Sequence, residues 1–429
     1  MKPKYLNVKN NTAYIRNINL EKIAQTFHTP LYVYDQVELE ENMDLFLNNF
    51  KSDHFNCHTV YASKAMLIPT LCEILARKGL WMDAVSMGDL YVAKESGFPM
   101  EKIIFHGNNK SFEELDFAVK NHCIIVVDHL QELIDLCLIA KKCNLNVNTM
   151  FRVNPGINAH THKYIQTATY VSKFGESIYD DKVIDQIMNV YLKNNHIKLI
   201  GFHSHIGSQI QEVEPFMMNV EKMLEFSLNI MKKYHYLLTG VNFGGGFGIP
   251  YILEDNPLDK KLTLNSMVSK IYEIGNKIGF VPDDVFIEPG RSILGNAGIT
   301  LYSCGDFKHT YGDKNYQFID GGMTDNIRPA LYSADYACDV VNKMNDKKEI
   351  VCDLAGKCCE SGDIIIYNAV LPKVSRGDII MVYATGAYNY SMSSNYNNML
   401  KPAVVFLKDD AKLVARRENL DDLMRLFKL

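Results

Sequence analysis

Lys64 stands in Tyr61-Ala62-Ser63-Lys64-Ala65, at the end of a short apolar, β-rich run. An amine in that place is a candidate for covalent chemistry with a carbonyl carbon. Polar or reactive side chains then recur at the ends of similar runs. In order they are Asp83 with Ser86, His106 with Asn108, Asp128, and Arg152 with Asn154. They continue with His203-Ser204-His205-Ile206-Gly207-Ser208, Gly244-Gly245-Gly246 and Glu288-Pro289-Gly290-Arg291. Each alone is weak: a lone lysine is more often paired or solvated, a triple glycine a turn, a histidine a satisfied core residue. Their recurrence at the end of one run after another is the pattern a shared site needs.

The elements that must position them read as follows. β-rich runs fall near 58–62, 81–86, 102–106, 124–128, 148–153, 198–205, 240–243 and 285–288. Amphipathic stretches such as 130–142, 182–194, 217–234 and 265–277 lie between most of them. Eight such runs alternating with helices predict a (β/α)8, TIM-like barrel, whose chemistry gathers at the C-terminal ends of its strands; an open doubly wound sheet is the less favoured alternative. Helical spacing of Leu20, Ile23, Ala24 and Phe27 precedes the barrel, with Pro30 at its exit. Asp35 with Glu38, and Ser111 with Glu114, have the spacing of capping boxes. After about 290 the rhythm changes. Segments 314–320, 349–353, 363–371 and 378–384 are β-like without intervening helices, which predicts a C-terminal domain of antiparallel strands, a β-barrel or sandwich. The expected division is 1–30 packing with the C-terminal β domain, 31–290 the barrel, and 291–429 the β domain.

Composition excludes several classes. The 429 residues are 47% hydrophobic and 22% charged, with a net charge of −5 and a pI near 6.2, which implies no nucleic-acid-sized basic surface. The first residues lack a secretory apolar core, and no apolar run approaches the roughly 18 residues needed to cross a bilayer. A cytoplasmic protein is expected, with neither membrane nor nucleic acid as partner. Ten cysteines are scattered without CxxC spacing, so no zinc ribbon or thioredoxin motif is supported and no metal is expected.

Pyridoxal 5'-phosphate has needs that this set meets. Lys64 can form the Schiff base, and glycines at 244–246 let backbone N–H groups approach a phosphate. Ser208 adds a hydroxyl and Arg291 a positive charge, while His205 is placed to stack on a flat ring. Glu288 opposite the pyridine nitrogen would keep it protonated and make the ring a strong electron sink, which suits a delocalised carbanion better than racemisation.

Ten stretches, YASKA (61–65), DAVSMGDL (83–90), FHGNNKS (105–111), SKFG (172–175), GFHSHIGSQI (201–210), NFGGGFGIPY (242–251), EPGRSI (288–293), IRPALY (327–332), CESGD (359–363) and GAYNYSMSSNYN (386–397), occur in this order. Over nearly its whole length the chain resembles the diaminopimelate decarboxylases, members of the alanine-racemase-like, fold-type III pyridoxal-phosphate enzymes. The resemblance implies decarboxylation of meso-2,6-diaminopimelate to L-lysine and CO2, the last step of lysine biosynthesis. It implies Lys64 as the Schiff-base lysine, His205 stacked on the ring, and Glu288 facing the pyridine nitrogen. Asp83, Ser208, Gly245, Gly246, Arg291 and Tyr388 would also hold the cofactor. Arg291, Arg328, Tyr332, Glu360 and Tyr388 would hold the substrate. Cys359 would supply a proton after CO2 leaves, and Cys359 and Glu360 would enter from the partner of a homodimer with shared sites. Arg328 as a carboxylate clamp and Glu360 as an ammonium partner suit a substrate with two amino-acid ends. Three stretches depart from the pattern: Thr167-Ala168, Gly356-Lys357-Cys358 and 321–325. The alternatives are a decarboxylase of D-ornithine, D-lysine or carboxynorspermidine, a racemase, or a non-catalytic regulatory relative.

Overall fold

The computed structural model describes residues 1–157 and 172–428, which form two compact units. One comprises residues 43–248 and 257–290; the other comprises 1–42, 249–256 and 291–429. Thr167-Ala168 and most of the connection around it lie outside the described residues.

The first unit is an eight-stranded parallel barrel. Its strands are, in chain order, Asn56–Tyr61, Trp81–Ala84, Ile103–Phe105, Ile124–Val127, Val147–Asn154, Ile197–His203, Gly240–Asn242 and Asp284–Ile287. The eighth pairs with the first and the fourth with the fifth, so the sheet closes. Closure leaves no edge, and uniformly apolar strands such as Ile124–Val127 are buried on every residue. Val60, Ile104, Val126, Met150 and Phe286, from five different strands, cluster as core. Strands six and seven approach so closely at Gly201 that a Cβ there would collide with the Gly240 carbonyl.

Side-chain caps start the helices that follow the strands. Ser86, His129, Asp180 and Asp259 each accept the N–H three residues on, for helices Met87–Glu95, Leu130–Cys143, Asp181–Lys193 and Lys260–Ile278. Ser111 and Glu114 form both halves of the expected capping box at helix Phe112–Lys120. The second expected box is only half formed. Asp35 accepts the N–H groups of Val37 and Glu38, but the Glu38 carboxylate instead accepts the Lys4 N–H at 2.7 Å.

The second unit is built on β-structure. Strand Gly298–His309 pairs antiparallel with Leu31–Asp35, Asn315–Ile319 and Ile379–Val382, and Ala403–Leu407 lies parallel to Leu31–Asp35. The boundary expected at residue 30 therefore falls at 42. All five residues of Leu31–Asp35 are buried, and their backbone groups are satisfied in this sheet. Residues 249–256, expected inside the barrel domain, also belong here: Ile249 and Tyr251 pack with Tyr302, Tyr336 and Ile380.

One buried ion pair ties the loop after the third barrel strand to the helix Leu130–Cys143. Lys110 Nζ donates to Glu132 at 2.6 Å and to the carbonyls of Gly107 and Val126, and both charged side chains are at most 2% exposed. Lys110→Met leaves a buried carboxylate without its cation and should destabilise the unit by about 3–5 kcal/mol. The double change Lys110→Met with Glu132→Met should recover most of that loss. Urea unfolding of the three chains measures both effects; equal losses in the single and double variants would show that packing, and not the unpaired charge, sets the cost.

Candidate active site

Glu288 follows the eighth barrel strand and is 8% exposed. Its carboxylate collects donors from three other strands. His106 Nε2–H, after the third strand, donates to Oε1 at 2.9 Å; Asn242 Nδ2, at the end of the seventh, donates to Oε1 at 2.8 Å. His203 Nε2–H, at the end of the sixth, donates to Oε2 at 3.1 Å. Burial pushes the Glu288 carboxyl up, but His106 and His203 outweigh it, and the group is held well below the usual carboxylate range. Burial pulls the His203 imidazole down to about 4, so it serves as a neutral donor. His106, His203 and Glu288 offer atoms within 4.8 Å of one another, as metal ligands would, yet the Nε2–H groups of both histidines are spent on the Glu288 oxygens.

The other residues expected at the strand ends take definite places. Lys64 lies in the single turn Ser63–Ala65 after the first strand and is exposed. Asp83, buried in the second strand, accepts the Ser63 N–H at 2.6 Å and so pins the turn that carries Lys64. Burial raises the Asp83 carboxyl to about 6, with the Glu288 charge adding and His106, Lys64 and the Ser63 N–H opposing. His205 Nδ1 accepts the Gly245 N–H at 3.1 Å, which places its proton on Nε2. Burial first, then the charges of Lys64 and Arg152, keep His205 neutral. Gly244 and Gly246 have φ of +67° and +109°, and a Cβ at Gly245 would collide with the Glu288 carbonyl. Gly245 thus spends its N–H on His205, whereas among the described residues the Gly246 N–H donates no hydrogen bond. Ser208 is half-buried in the loop after the sixth strand.

The β unit carries the remaining expected residues. Arg291 and Arg328 are each 6% exposed. Arg291 donates to Tyr251 Oη, and its guanidinium lies 4.7 Å from the Tyr388 ring centre. Arg328 starts the short helix Arg328–Tyr332 and donates to Tyr251 Oη at 2.9 Å and Tyr336 Oη at 2.6 Å. Tyr332 lies 5.9 Å from the same guanidinium. Among the described residues Arg328 meets no carboxylate. Cys359 and Glu360 are exposed, and the Cys359 N–H is held by Asn397 Oδ1 at 2.7 Å; neither side chain joins the arginines. Two of the departing stretches are stitched together. Asp363 accepts the N–H groups of Met323 at 2.6 Å and Cys358 at 2.8 Å.

Asn242, Tyr251 and Tyr336 were not among the expected site residues, and His106 and His203 carried no assigned role. The histidines stood at strand ends and so gave a signal; the two tyrosines lie in apolar surroundings that read as core.

These features fit pyridoxal phosphate. A buried carboxylate is held ionised, as a protonated ring nitrogen requires. A neutral imidazole is fixed in orientation, and a glycine turn leaves one backbone N–H available for an anion. A family model described as "Pyridoxal-dependent decarboxylase, pyridoxal binding domain" matches residues 37–295. Diaminopimelate decarboxylase of Bacillus subtilis (strain 168) is 40% identical over 409 residues, 94% of this chain and 92% of that protein. The enzyme of that name from Staphylococcus aureus (strain COL) is 41% identical, covering 95% of each. The crystal structure of diaminopimelate decarboxylase from M. jannaschii in complex with L-lysine superposes with a TM-score of 0.93 at 31% identity, over 100% of this chain and 99% of that one.

The carboxylate network is testable without turnover. His203→Phe keeps a ring but removes one donor from Glu288, so burial gains and the carboxyl pKa should rise. Because the folded pKa is depressed, Glu288 stabilises the folded chain at neutral pH and loses that contribution as pH falls; in the variant the loss should set in at higher pH. The pH titration of the Glu288 carboxyl carbon by NMR measures the shift. An unchanged midpoint would show that His106 and Asn242 suffice.

Proposed function

The chain belongs to the pyridoxal-dependent decarboxylases, within them to the diaminopimelate decarboxylase family, and from that membership we propose that it converts meso-2,6-diaminopimelate to L-lysine and CO2 with pyridoxal 5'-phosphate as cofactor. The observation that most favours a substrate with a distal carboxylate is Arg328. A guanidinium that is 6% exposed and meets only phenol oxygens among the described residues is suited to receive an anion from outside the chain.

When bound, pyridoxal phosphate supplies a covalent electron sink beside the substrate Cα, which lowers the barrier to loss of CO2. The chain's own residues do the rest. Lys64 offers the amine that holds the cofactor covalently, on a turn that Asp83 pins through the Ser63 N–H. Asp83 therefore acts on the cofactor through the backbone. Glu288, held ionised by His106, His203 and Asn242, keeps a ring nitrogen protonated. His205 gives a flat, neutral face. Ser208, Gly245, Gly246, Arg291 and Tyr388 hold the phosphate, Gly245 through close approach and its hold on His205, Gly246 through its N–H. Arg328 takes the distal carboxylate and Glu360 the distal ammonium, with Arg291, Tyr332 and Tyr388 beside them. Cys359 delivers the S–H proton to Cα once CO2 has left and is reprotonated from solvent.

The working unit is a homodimer in which Cys359 and Glu360 serve the partner's site. Their exposure supports this: both side chains face solvent, and the Glu360 carboxylate accepts only the Gly362 N–H, at 3.4 Å, among the described residues.

Carbon dioxide release from meso-diaminopimelate, D-lysine, D-ornithine and carboxynorspermidine tests the substrate. Release should be fastest with meso-diaminopimelate, and Arg328→Lys should shrink that advantage at least 10-fold, because an ammonium cannot reproduce the two-pronged guanidinium contact. Equal losses on all four compounds would mean that Arg328 serves a part they share.

Mixing two inactive chains tests the shared site. Random pairing of Lys64→Ala with Cys359→Ala gives half hetero-dimers with one intact site each, so activity should return to about a quarter of wild type. No recovery, with subunit exchange shown independently, would place both residues in one chain's site.

A further inference from the structure

Tyr251 is placed unlike a core tyrosine. It belongs to the segment 249–256 of the β unit, and its ring is buried, with Tyr336 packed edge-on at 5.4 Å. Its backbone is fixed, since Asp255 accepts the N–H groups of Tyr251 at 2.6 Å and Ile252 at 3.2 Å. Its oxygen accepts from Nη1 of Arg291 and from Nη1 of Arg328, two guanidiniums that are each 6% exposed. Two buried cations drawn to one neutral oxygen repel each other, and burial adds the cost of lost hydration. Tyr251 accepts from both arginines, and Tyr336 accepts from Arg328.

A phenol oxygen has two lone pairs and one proton. Both lone pairs of Tyr251 point at guanidiniums, and among the described residues its hydroxyl donates to no acceptor. Burial pushes the phenol up, yet the charges of Arg291 and Arg328 outweigh it and draw it below the ordinary tyrosine range. Tyr336, which among the described residues accepts from Arg328 alone, is shifted upward by burial. The two tyrosines thus differ in the one respect that matters, whether the oxygen is shared.

We infer that Tyr251 is a positioning residue whose single oxygen holds Arg291 and Arg328 at a fixed spacing and couples the two, so that binding of the cofactor phosphate and binding of the distal substrate carboxylate depend on each other. The inference rests on the roles proposed above for the two arginines. Replacing the shared oxygen should disturb both anions, whereas replacing the oxygen of Tyr336 should disturb only the carboxylate.

The test uses the full-length chain with three probes: pyridoxal phosphate titrated into apo-protein by fluorescence, and L-lysine and cadaverine titrated into holo-protein by absorbance. Cadaverine has the amines of lysine without the carboxylate. Tyr251→Phe should weaken pyridoxal phosphate several-fold and L-lysine about 10-fold, the scale of a lost hydrogen bond to a charged group, and leave cadaverine unchanged. Tyr336→Phe should weaken L-lysine alone. Arg328→Met should weaken pyridoxal phosphate several-fold although it holds no phosphate, and lose that effect in a Tyr251→Phe background. The inference is overturned if Tyr251→Phe behaves as Tyr336→Phe does, or if all three ligands weaken alike, as general loosening would give. If Tyr251→Phe does not fold, unchanged pyridoxal phosphate affinity in Arg328→Met overturns it. A wild-type chain that binds neither pyridoxal phosphate nor L-lysine would instead defeat the functional reading.

Discussion

Keeping the Glu288 carboxylate ionised inside the barrel unit is the constraint on which much else depends. A buried carboxylate is costly unless its oxygens are satisfied. Here the donors come from the third, sixth and seventh strands while the acid follows the eighth. The sixth and seventh strands lie beside the eighth in the sheet, but the third comes within reach only because the sheet closes. Barrel closure and carboxylate ionisation are therefore one requirement: an open sheet with the same strands would leave the charge without part of its shell. His203 must also stay neutral, so that it gives a hydrogen bond without cancelling the negative charge. Burial of His203 secures this.

The β unit presents the opposite problem with the same kind of solution. Its buried cations, Arg291 and Arg328, are held by phenols. In both units hydrogen-bonding side chains fix a buried formal charge in place. Such a charge is positioned by the fold, and a ligand of opposite charge gains from meeting it. A paired Arg–Glu would fold as readily and bind little.

Backbone constraints carry the same economy. Asp83 works through the Ser63 N–H to set the turn of Lys64, and Gly245 gives its N–H to orient His205. Asp363 joins the loops at 321–325 and 356–358 by two N–H groups, and a Cβ at Gly322 or Gly356 would crowd its carboxylate. The departures from the family pattern in those loops therefore sit on a frame that glycine makes possible, and Cys359 follows directly from it.

The eight barrel strands were legible in the sequence because β-rich runs, some apolar throughout as at Ile124–Val127, end in polar residues and alternate with amphipathic stretches; the third reads as 102–106 and is found at Ile103–Phe105. The placing of Lys64, His205 and Glu288 after the first, sixth and eighth strands was legible for the same reason, since polar residues at strand ends interrupt a β-rich rhythm at fixed places. Leu31–Asp35 was not assigned to the β unit, because its partners lie more than 260 residues later and a local pattern cannot tell which sheet will satisfy a buried backbone. The roles of His106, His203 and Asn242 could not be read either, nor could Tyr251 and Tyr336, whose rings pack in an apolar core. The sequence by itself determined which strand end carries each candidate residue. Only the tertiary structure decided which neutral groups surround each buried charge, because that depends on distances between segments remote in the chain, and those are set by sheet closure and packing.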